Sequence, residues 1–396
     1  MGVSASAAVH SRAVKFIAVL LCVVGAVIPQ DHEYCIIGAG PAGVQLAYYL
    51  HTSPEPRNYI VFERAADAGS YFETYPRHRK LISINKRFTG SDNYEFNMRH
   101  DWNSLLTRKP APQMLFRNFD KNYFPAADSL VSYLRYFTQN AATTDTDAPR
   151  AGEALHVQFN TTVVEVSRPS AVGNRNDGVG FVVRTAGDHQ RTWSCGRVIV
   201  ATGLFAPMQT NPSPLIEWYD TMPTNKSSFE DQEVLILGRG NAAFETAGHL
   251  YDVTTRVNMI GRSRVRLSWE THYVGDLRGV NNEVLDSYML KSLDIVQSTV
   301  PAETLHFVRD DKTNRIRVFD SADVESREEM EELSPVDRVL GCTGWKFDNA
   351  PFRSDRMRPR MLTPKYPQMT PAFESTNVPG LFFAGTLMHS REYVER

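Results

Sequence analysis

At 396 residues the chain is too long for one ordinary domain and long enough to bury two sizeable cores. Its composition, 42% hydrophobic and 22% charged, is that of a globular protein rather than a disordered or fibrous one. A formal net charge of −2, with no basic stripe interleaved with aromatics, gives no electrostatic case for nucleic acid.

Residues 1–30 do not belong to the fold. Arg12 and Lys15 form a small basic region ahead of the 13-residue apolar run Phe16–Ile28, and the small residues Gly25 and Ala26 lie near a cleavage point. This is the layout of a secretory signal peptide; a bilayer span needs about 20 apolar residues. The alternative is a short anchor that stays attached. Of four cysteines, Cys22 would leave with the leader, so Cys35, Cys195 and Cys342 remain. That count and the lack of CxxC argue against a disulfide scaffold and a thioredoxin-reductase type of dithiol. Cys35 reads as core in an apolar strand, and a Cys195–Cys342 bridge stays open. Two sequons, at Asn160 and Asn225, fit a secreted route, Asn225 being the better acceptor in its polar loop.

The first motif runs Tyr34-Cys-Ile-Ile-Gly38-Ala-Gly40-Pro-Ala-Gly43, an apolar strand, a glycine turn and then a helix-like stretch. A second strand, Tyr59–Phe62, ends in Glu63. Next come a basic cluster (Arg77 to Lys80, then Lys86 and Arg87) and a helix expected over Ala127–Asn140. Strands follow at Leu155–Phe159, Phe181–Arg184 and Arg197–Val200, the last ending in Ala201-Thr202-Gly203. Residues Pro207–Ser228 read as a linker. The strand–glycine–helix unit then repeats as Val234-Leu-Ile-Leu-Gly238-Arg-Gly240-Asn-Ala-Ala243, and its next strand, Val257–Ile260, ends in Gly261-Arg262-Ser263-Arg264. After about residue 330 come short strands at Val339-Leu340 and Leu381–Ala384.

One glycine turn is a weak signal, but here each copy follows a strand, opens a helix and precedes a second strand at matching distance. Gly38 allows the tight turn, Gly40 lets backbone N–H groups approach a pyrophosphate, and Gly43 lets the helix lie close to the strand. Glu63 is placed to accept hydrogen bonds from a ribose. The second copy has arginines there instead. Arg262 or Arg264 would attract a 2′-phosphate that a carboxylate would repel, which favours NADPH over NADH. The turns Ala201–Gly203 and Cys342–Gly344 let backbone pass close to a cofactor. The basic cluster would supply donors to a reduced flavin or form a solvated loop. His78 and His389 are candidate acid–base groups without a visible partner. No metal-ligand spacing and no nucleophile elbow is present.

These residues resemble the two-dinucleotide-binding-domain flavoproteins, and within them the flavin-containing monooxygenase-like branch. The likeness rests on Gly38–Gly43 with Glu63, Ala201–Gly203, Gly238–Ala243, Cys342–Trp345 and Leu381–Thr386. The stretches Thr74–Gly90, Arg99–Leu106 and Val234–Ala247 are similar to a member of that branch from the endoplasmic reticulum lumen. The resemblance implies an α/β fold of two Rossmann-like domains, the second inserted in the first: FAD-binding at 31–210 and 331–396, NADPH-binding at 211–330. It implies the endoplasmic reticulum lumen, no membrane span after signal cleavage, and partnership with the degradation machinery for misfolded glycoproteins. It places Gly385 and Thr386 by the flavin ribityl-phosphate, where Thr386 replaces a more usual acid. Glu217–Phe229 lacks the Gly and His of the monooxygenase motif, which argues against monooxygenation. The chain ends at Arg396, soon after Gly385, where relatives continue into a helix beside the flavin; a shortened C-terminal part of the FAD domain is therefore expected. FAD and NADPH are the expected cofactors of an NAD(P)H oxidoreductase. An S- or N-oxygenating enzyme and a non-enzymatic adaptor that keeps the fold are the alternatives.

Overall fold

The computed structural model describes residues 30–169, 180–267, 277–288, 299–321 and 331–391. The leader-like run lies outside them, and among the described residues no helix is long and apolar enough to cross a membrane.

The first sheet is built on β1 (His32–Ile37) and β2 (Tyr59–Phe62), which flank helix α1 (Pro41–His51) in the chain. Strand β2 and the buried half of β1, Cys35–Ile37, read as unbroken apolar runs, as a parallel sheet covered on both faces requires. The order is β3 (Val157–Gln158), β2, β1, β6 (Thr192–Val200), then β5 (Phe181–Gly187) and β4 (Thr161–Ser167). Strand β6 divides its edge: Cys195 and its N-terminal neighbours pair antiparallel with β5, whereas Val198–Val200 pair parallel with β16 (Leu381–Phe383). Two short helices, α2 (Tyr71–Thr74) and α3 (Tyr94–His100), precede α4 (Ala127–Thr144). Helix α4 buries Leu130, Tyr133, Leu134, Phe137 and Ala141, an i, i+3, i+4 stripe that seats it on α1. Each large side chain so buried contributes roughly 1.5–3 kcal/mol.

The second sheet repeats the plan. Its four strands, in the order β10 (Arg256–Ile260), β9 (Glu233–Leu237), β14 (Arg338–Gly341) and β8 (Ile216–Trp218), are all parallel. Helix α5 (Asn241–Leu250) follows β9 as α1 follows β1. An antiparallel meander of β11 (Leu305–Arg309), β12 (Ile316–Asp320) and β13 (Glu331–Val336) leads into β14. The meander β4–β5–β6 leads the chain to the corresponding place in the first sheet.

This corrects the domain boundary at 331. Residues 331–341 stay with the second sheet and its meander, because 331–336 form β13 and β14 pairs with β9 from Arg338↔Val234 to Gly341↔Leu237. The apolar strand at Val339 carries no mark of which sheet it joins. The chain crosses out at β7 (Ala206–Pro207) and back at β15 (Trp345–Lys346), and these two strands pair antiparallel. The expected linker 207–228 also contains β8, a strand of the second sheet.

The cysteine reading is corrected as well. Cys35 and Cys195 form a disulfide between neighbouring strands β1 and β6, with Cα atoms 5.9 Å apart. Cys342 follows β14 in the other sheet and is a buried free thiol. Both sequon asparagines are exposed, but the Asn160 amide is engaged by Asp188 at 2.9 Å.

Candidate functional site

The first glycine loop is shaped by backbone contacts. Gly38 has φ +102°, and a Cβ there would lie 2.9 Å from the Ala201 carbonyl oxygen. A Cβ on Gly43 would lie 1.9 Å from the Gly38 oxygen, so only glycine lets α1 start this close to β1. The turn Ala201-Thr202-Gly203 crosses directly over the loop, tied by the Ala201 N–H to the Ile37 carbonyl at 2.9 Å. Gly385, at φ +68°, approaches Ala42 at the start of α1, which brings Gly385 and Thr386 to the same place. Glu63 is buried; one carboxylate oxygen accepts the Ala39 N–H, the other the Ala65 N–H and the Ser70 hydroxyl.

The second loop repeats these relations. Gly238 has φ +124°, and its Cβ would lie 2.3 Å from the Cys342 carbonyl oxygen. Cys342–Gly344 therefore stands to Gly238 as Ala201–Gly203 stands to Gly38. Gly240 caps α5 without any side-chain hydrogen bond, and Ala243 is fully buried beneath the helix. Arg262 and Arg264 are exposed at the end of β10.

A cavity of about 610 Å³ runs from the second loop to Pro41, the first residue of α1; Gly38, Gly40, Gly43 and Glu63 are not among its lining residues. Pro41 of α1 lines one end; Gly238, Gly240 and Arg262 line the other. Between them stand Tyr71, Tyr75, Tyr219 and Trp345, whose rings pack on one another, Tyr75 against Trp345 at 4.7 Å between centroids.

The residues fit a dinucleotide at each loop. A Cβ at Gly40 would meet nothing within 4 Å, so the loop face is open where a pyrophosphate would approach. At the second loop Gly240, Asn241 and Ala242 line the cavity at the start of α5, with arginines at its rim.

The basic cluster is divided: Lys80 is exposed, Arg79 bonds within its own domain, and Arg77 and His78 dock one domain on the other. The Arg77 N–H donates to the Tyr219 hydroxyl at 2.9 Å, and its guanidinium reaches the Met222 carbonyl. The His78 N–H donates to Glu245 at 2.8 Å, and its ring stacks on His249 with centroids 4.0 Å apart. Burial, with His249 beside it, pushes the His78 pKa down to about 3. Neither ring nitrogen has a hydrogen-bond partner, so His78 is a neutral packing group rather than an acid–base catalyst. His389 is buried against Tyr366.

Sequence reasoning missed three residues of the cavity. Glu245, in the first turns of α5, accepts from Tyr219 at 2.9 Å, and burial pushes its pKa up to about 7. The lone carboxylate in the helix Asn241–Leu250 was the available signal. Tyr219, whose hydroxyl is held by Glu245 and Arg77, sits in the segment read as linker. Lys365 comes from the loop-rich stretch between β15 and β16 and had no local signal at all.

A duplicated glycine-loop fold with a shared cavity limits the comparisons to a few families. A family model described as pyridine nucleotide-disulphide oxidoreductase matches residues 35–385. The chain belongs to that family. A mouse protein named FAD-dependent oxidoreductase domain-containing protein 2 is 41% identical over 388 residues, covering 93% of this chain and 55% of that protein. The chain thus spans about half the length of the curated relatives it matches. Solved structures confirm the family fold. A doubly substituted flavin monooxygenase from Stenotrophomonas maltophilia aligns with TM-score 0.61 at 17% identity over 89% of this chain and 90% of its own. An ornithine N-hydroxylase from Kutzneria sp. 744, with reduced FAD, NADP+ and L-ornithine, aligns with TM-score 0.55 at 16% identity over 91% and 94%.

Proposed function

We propose that this chain is an FAD-dependent oxidoreductase in which NADPH binds the second glycine loop and reduces flavin held at the first. The observation that carries this reading is the pair of matching glycine loops, with a cavity that runs from the second loop, past Arg262, to Pro41 at the start of α1. Bound FAD would supply two-electron redox chemistry. Gly38, Gly40 and Gly43 would accommodate its pyrophosphate, Glu63 a ribose, and Ala201–Gly203 with Gly385 and Thr386 the opposite wall. Gly238, Gly240 and Ala243 would seat NADPH, with Arg262 at its 2′-phosphate. The packed rings of Tyr71, Tyr75 and Trp345 would exclude water from the junction between the two cofactors.

The same reading places the protein in the endoplasmic reticulum lumen. The leader-like run, the exposed Asn225 sequon and the Cys35–Cys195 bridge all support an oxidising, secretory compartment. Partnership with the degradation machinery for misfolded glycoproteins is part of the proposal and follows from the resemblance. Sensitivity of the expressed chain to endoglycosidase H, lost in Asn225→Gln, tests the compartment. The function is tested by recording the visible spectrum of the purified protein and adding NADPH or NADH without oxygen. Yellow protein bleached faster by NADPH supports the proposal. Colourless protein, or colour that neither nucleotide bleaches, would favour an adaptor that keeps the fold. Faster bleaching by NADH would overturn the role of Arg262.

A further inference from the structure

The cavity is unusual in its charge. Arg262, Arg264, Arg266 and Lys365 all line it, and among the described residues none of the four pairs with a carboxylate. The acids on the same wall are Glu245, committed to His78 and Tyr219, and Glu303, exposed at the rim. The three arginines follow β10 and belong to the second domain. Lys365 does not. It rises from the segment 347–380, whose Phe347, Phe352, Met357 and Met369 pack into the first domain.

Its side chain crosses to the second glycine loop. Lys365 Nζ lies 3.6 Å from where a Cβ on Gly344 would be, in the turn whose Cys342 carbonyl abuts Gly238. Burial, and then the Arg262 guanidinium, depress its pKa, so the ammonium sits there against its own electrostatic interest. A bound anion reverses that balance.

The location within the fold says which anion. In a Rossmann unit the ribose lies toward the end of the second strand, here β10 with Arg262, and the pyrophosphate lies over the glycine loop. Lys365 reaches Gly344, just past the end of β14 and so across β9 from β10, close enough to Arg262 to feel its charge.

Resting on the NADPH reading above, we propose that Lys365 binds the pyrophosphate of the nicotinamide coenzyme from across the domain boundary, opposite the second glycine loop. Arg262 then serves the 2′-phosphate alone. The coenzyme would join the two domains through its phosphates, with Lys365 of the first domain facing a loop that itself carries Arg239.

Equilibrium binding to the oxidised, flavin-loaded protein separates these roles, using NADP+, NAD+ and adenosine 2′-monophosphate as probes. Lys365→Met should weaken NADP+ and NAD+ by the same factor, about tenfold for one charge-assisted contact, and leave adenosine 2′-monophosphate unchanged. Lys365→Arg should restore most of the loss. Arg262→Gln should weaken NADP+ and adenosine 2′-monophosphate while sparing NAD+. Unchanged binding in Lys365→Met, or a loss confined to the two 2′-phosphorylated probes, overturns the assignment. If the unaltered protein binds none of the three probes, the NADPH reading itself falls and this proposal with it. Flavin content and melting temperature of Lys365→Met should match the parent; a shared fall in both would mean that Lys365 supports the fold and would also overturn the assignment.

Discussion

The backbone N–H of Ala39 donates to the Glu63 carboxylate at 2.7 Å, so the end of β2 is fastened to the middle of the first glycine loop. The second carboxylate oxygen holds the Ala65 N–H at 2.9 Å and the Ser70 hydroxyl at 3.2 Å. Glu63 therefore shapes the loop before any ribose is offered to it. Glu63→Ala leaves the buried Ala39 N–H without an acceptor, at a cost of about 1–3 kcal/mol. The expected result is a lower melting temperature even in protein stripped of flavin, together with poor flavin retention. Glu63→Gln keeps one acceptor oxygen and should lie between. A Glu63→Ala protein as stable as the parent when stripped would show that the carboxylate serves only the cofactor.

Gly40 and Gly43 should fail in different ways. A Cβ on Gly43 lies 1.9 Å from the Gly38 oxygen, so Gly43→Ala must push α1 off β1 and should lower the yield of folded protein. Gly40 has extended backbone, and a Cβ there meets nothing in the chain. Gly40→Ala should fold with the parent's melting temperature when stripped, yet bind FAD at least tenfold more weakly, because the methyl occupies the approach of the pyrophosphate. Flavin titration of the two stripped proteins checks this; equal affinity in Gly40→Ala would remove the pyrophosphate from that face.

Local chemistry explains what the sequence revealed. Gly38 and Gly238 announce themselves because a turn at φ above +100° and a backbone contact under 3 Å admit no side chain. The strands beside them are legible as short apolar runs bounded by turns. Pairing partners are not written in the residues. Val339 looks the same whichever sheet it joins, and the boundary at 331 was misplaced for that reason. The Cys35–Cys195 bridge depends on β1 lying beside β6, a contact across 160 residues of chain. The Arg77–His78 cluster reads as a charged surface loop until Tyr219 and Glu245 arrive from the other domain to receive it.

That bridge closes a loop long enough that chain entropy alone would contribute up to about 5 kcal/mol. Cys35→Ala with Cys195→Ala should lower the melting temperature well beyond what removal of two small side chains would do. Intact mass before and after reduction should differ by two hydrogens, and thiol labelling of the unreduced, unfolded protein should find neither cysteine. Labelling at Cys35 in freshly purified protein would show the pair to be reduced. Cys342 should label only on unfolding, since burial pushes its pKa up to about 12.

Glu245 and His78 should give the fold two opposed responses to pH. Burial raises the Glu245 pKa to about 7; the His78 N–H, the Tyr219 hydroxyl, Arg79 and Arg77 pull it back only in part. As pH rises from about 4.5 to about 7, the unfolded chain has released this proton while the folded chain still holds it, so stability falls by at most about 3 kcal/mol. His78 acts in the other direction. Its folded pKa near 3 means that below about 6.5 the unfolded chain binds a proton that the folded chain refuses, so stability falls as pH falls toward 3. Between about 4.5 and 6.5 the two slopes oppose each other. Glu245→Gln removes the first, and its stability relative to the parent should improve steadily from pH 4.5 to 7. His78→Gln removes the second, and its advantage over the parent should grow as pH falls below 6.5. Denaturant unfolding of the three flavin-loaded proteins across that range measures both differences. A Glu245→Gln curve parallel to the parent would mean that the carboxylate keeps its charge in the folded state, with Tyr219 and the His78 N–H outweighing its burial.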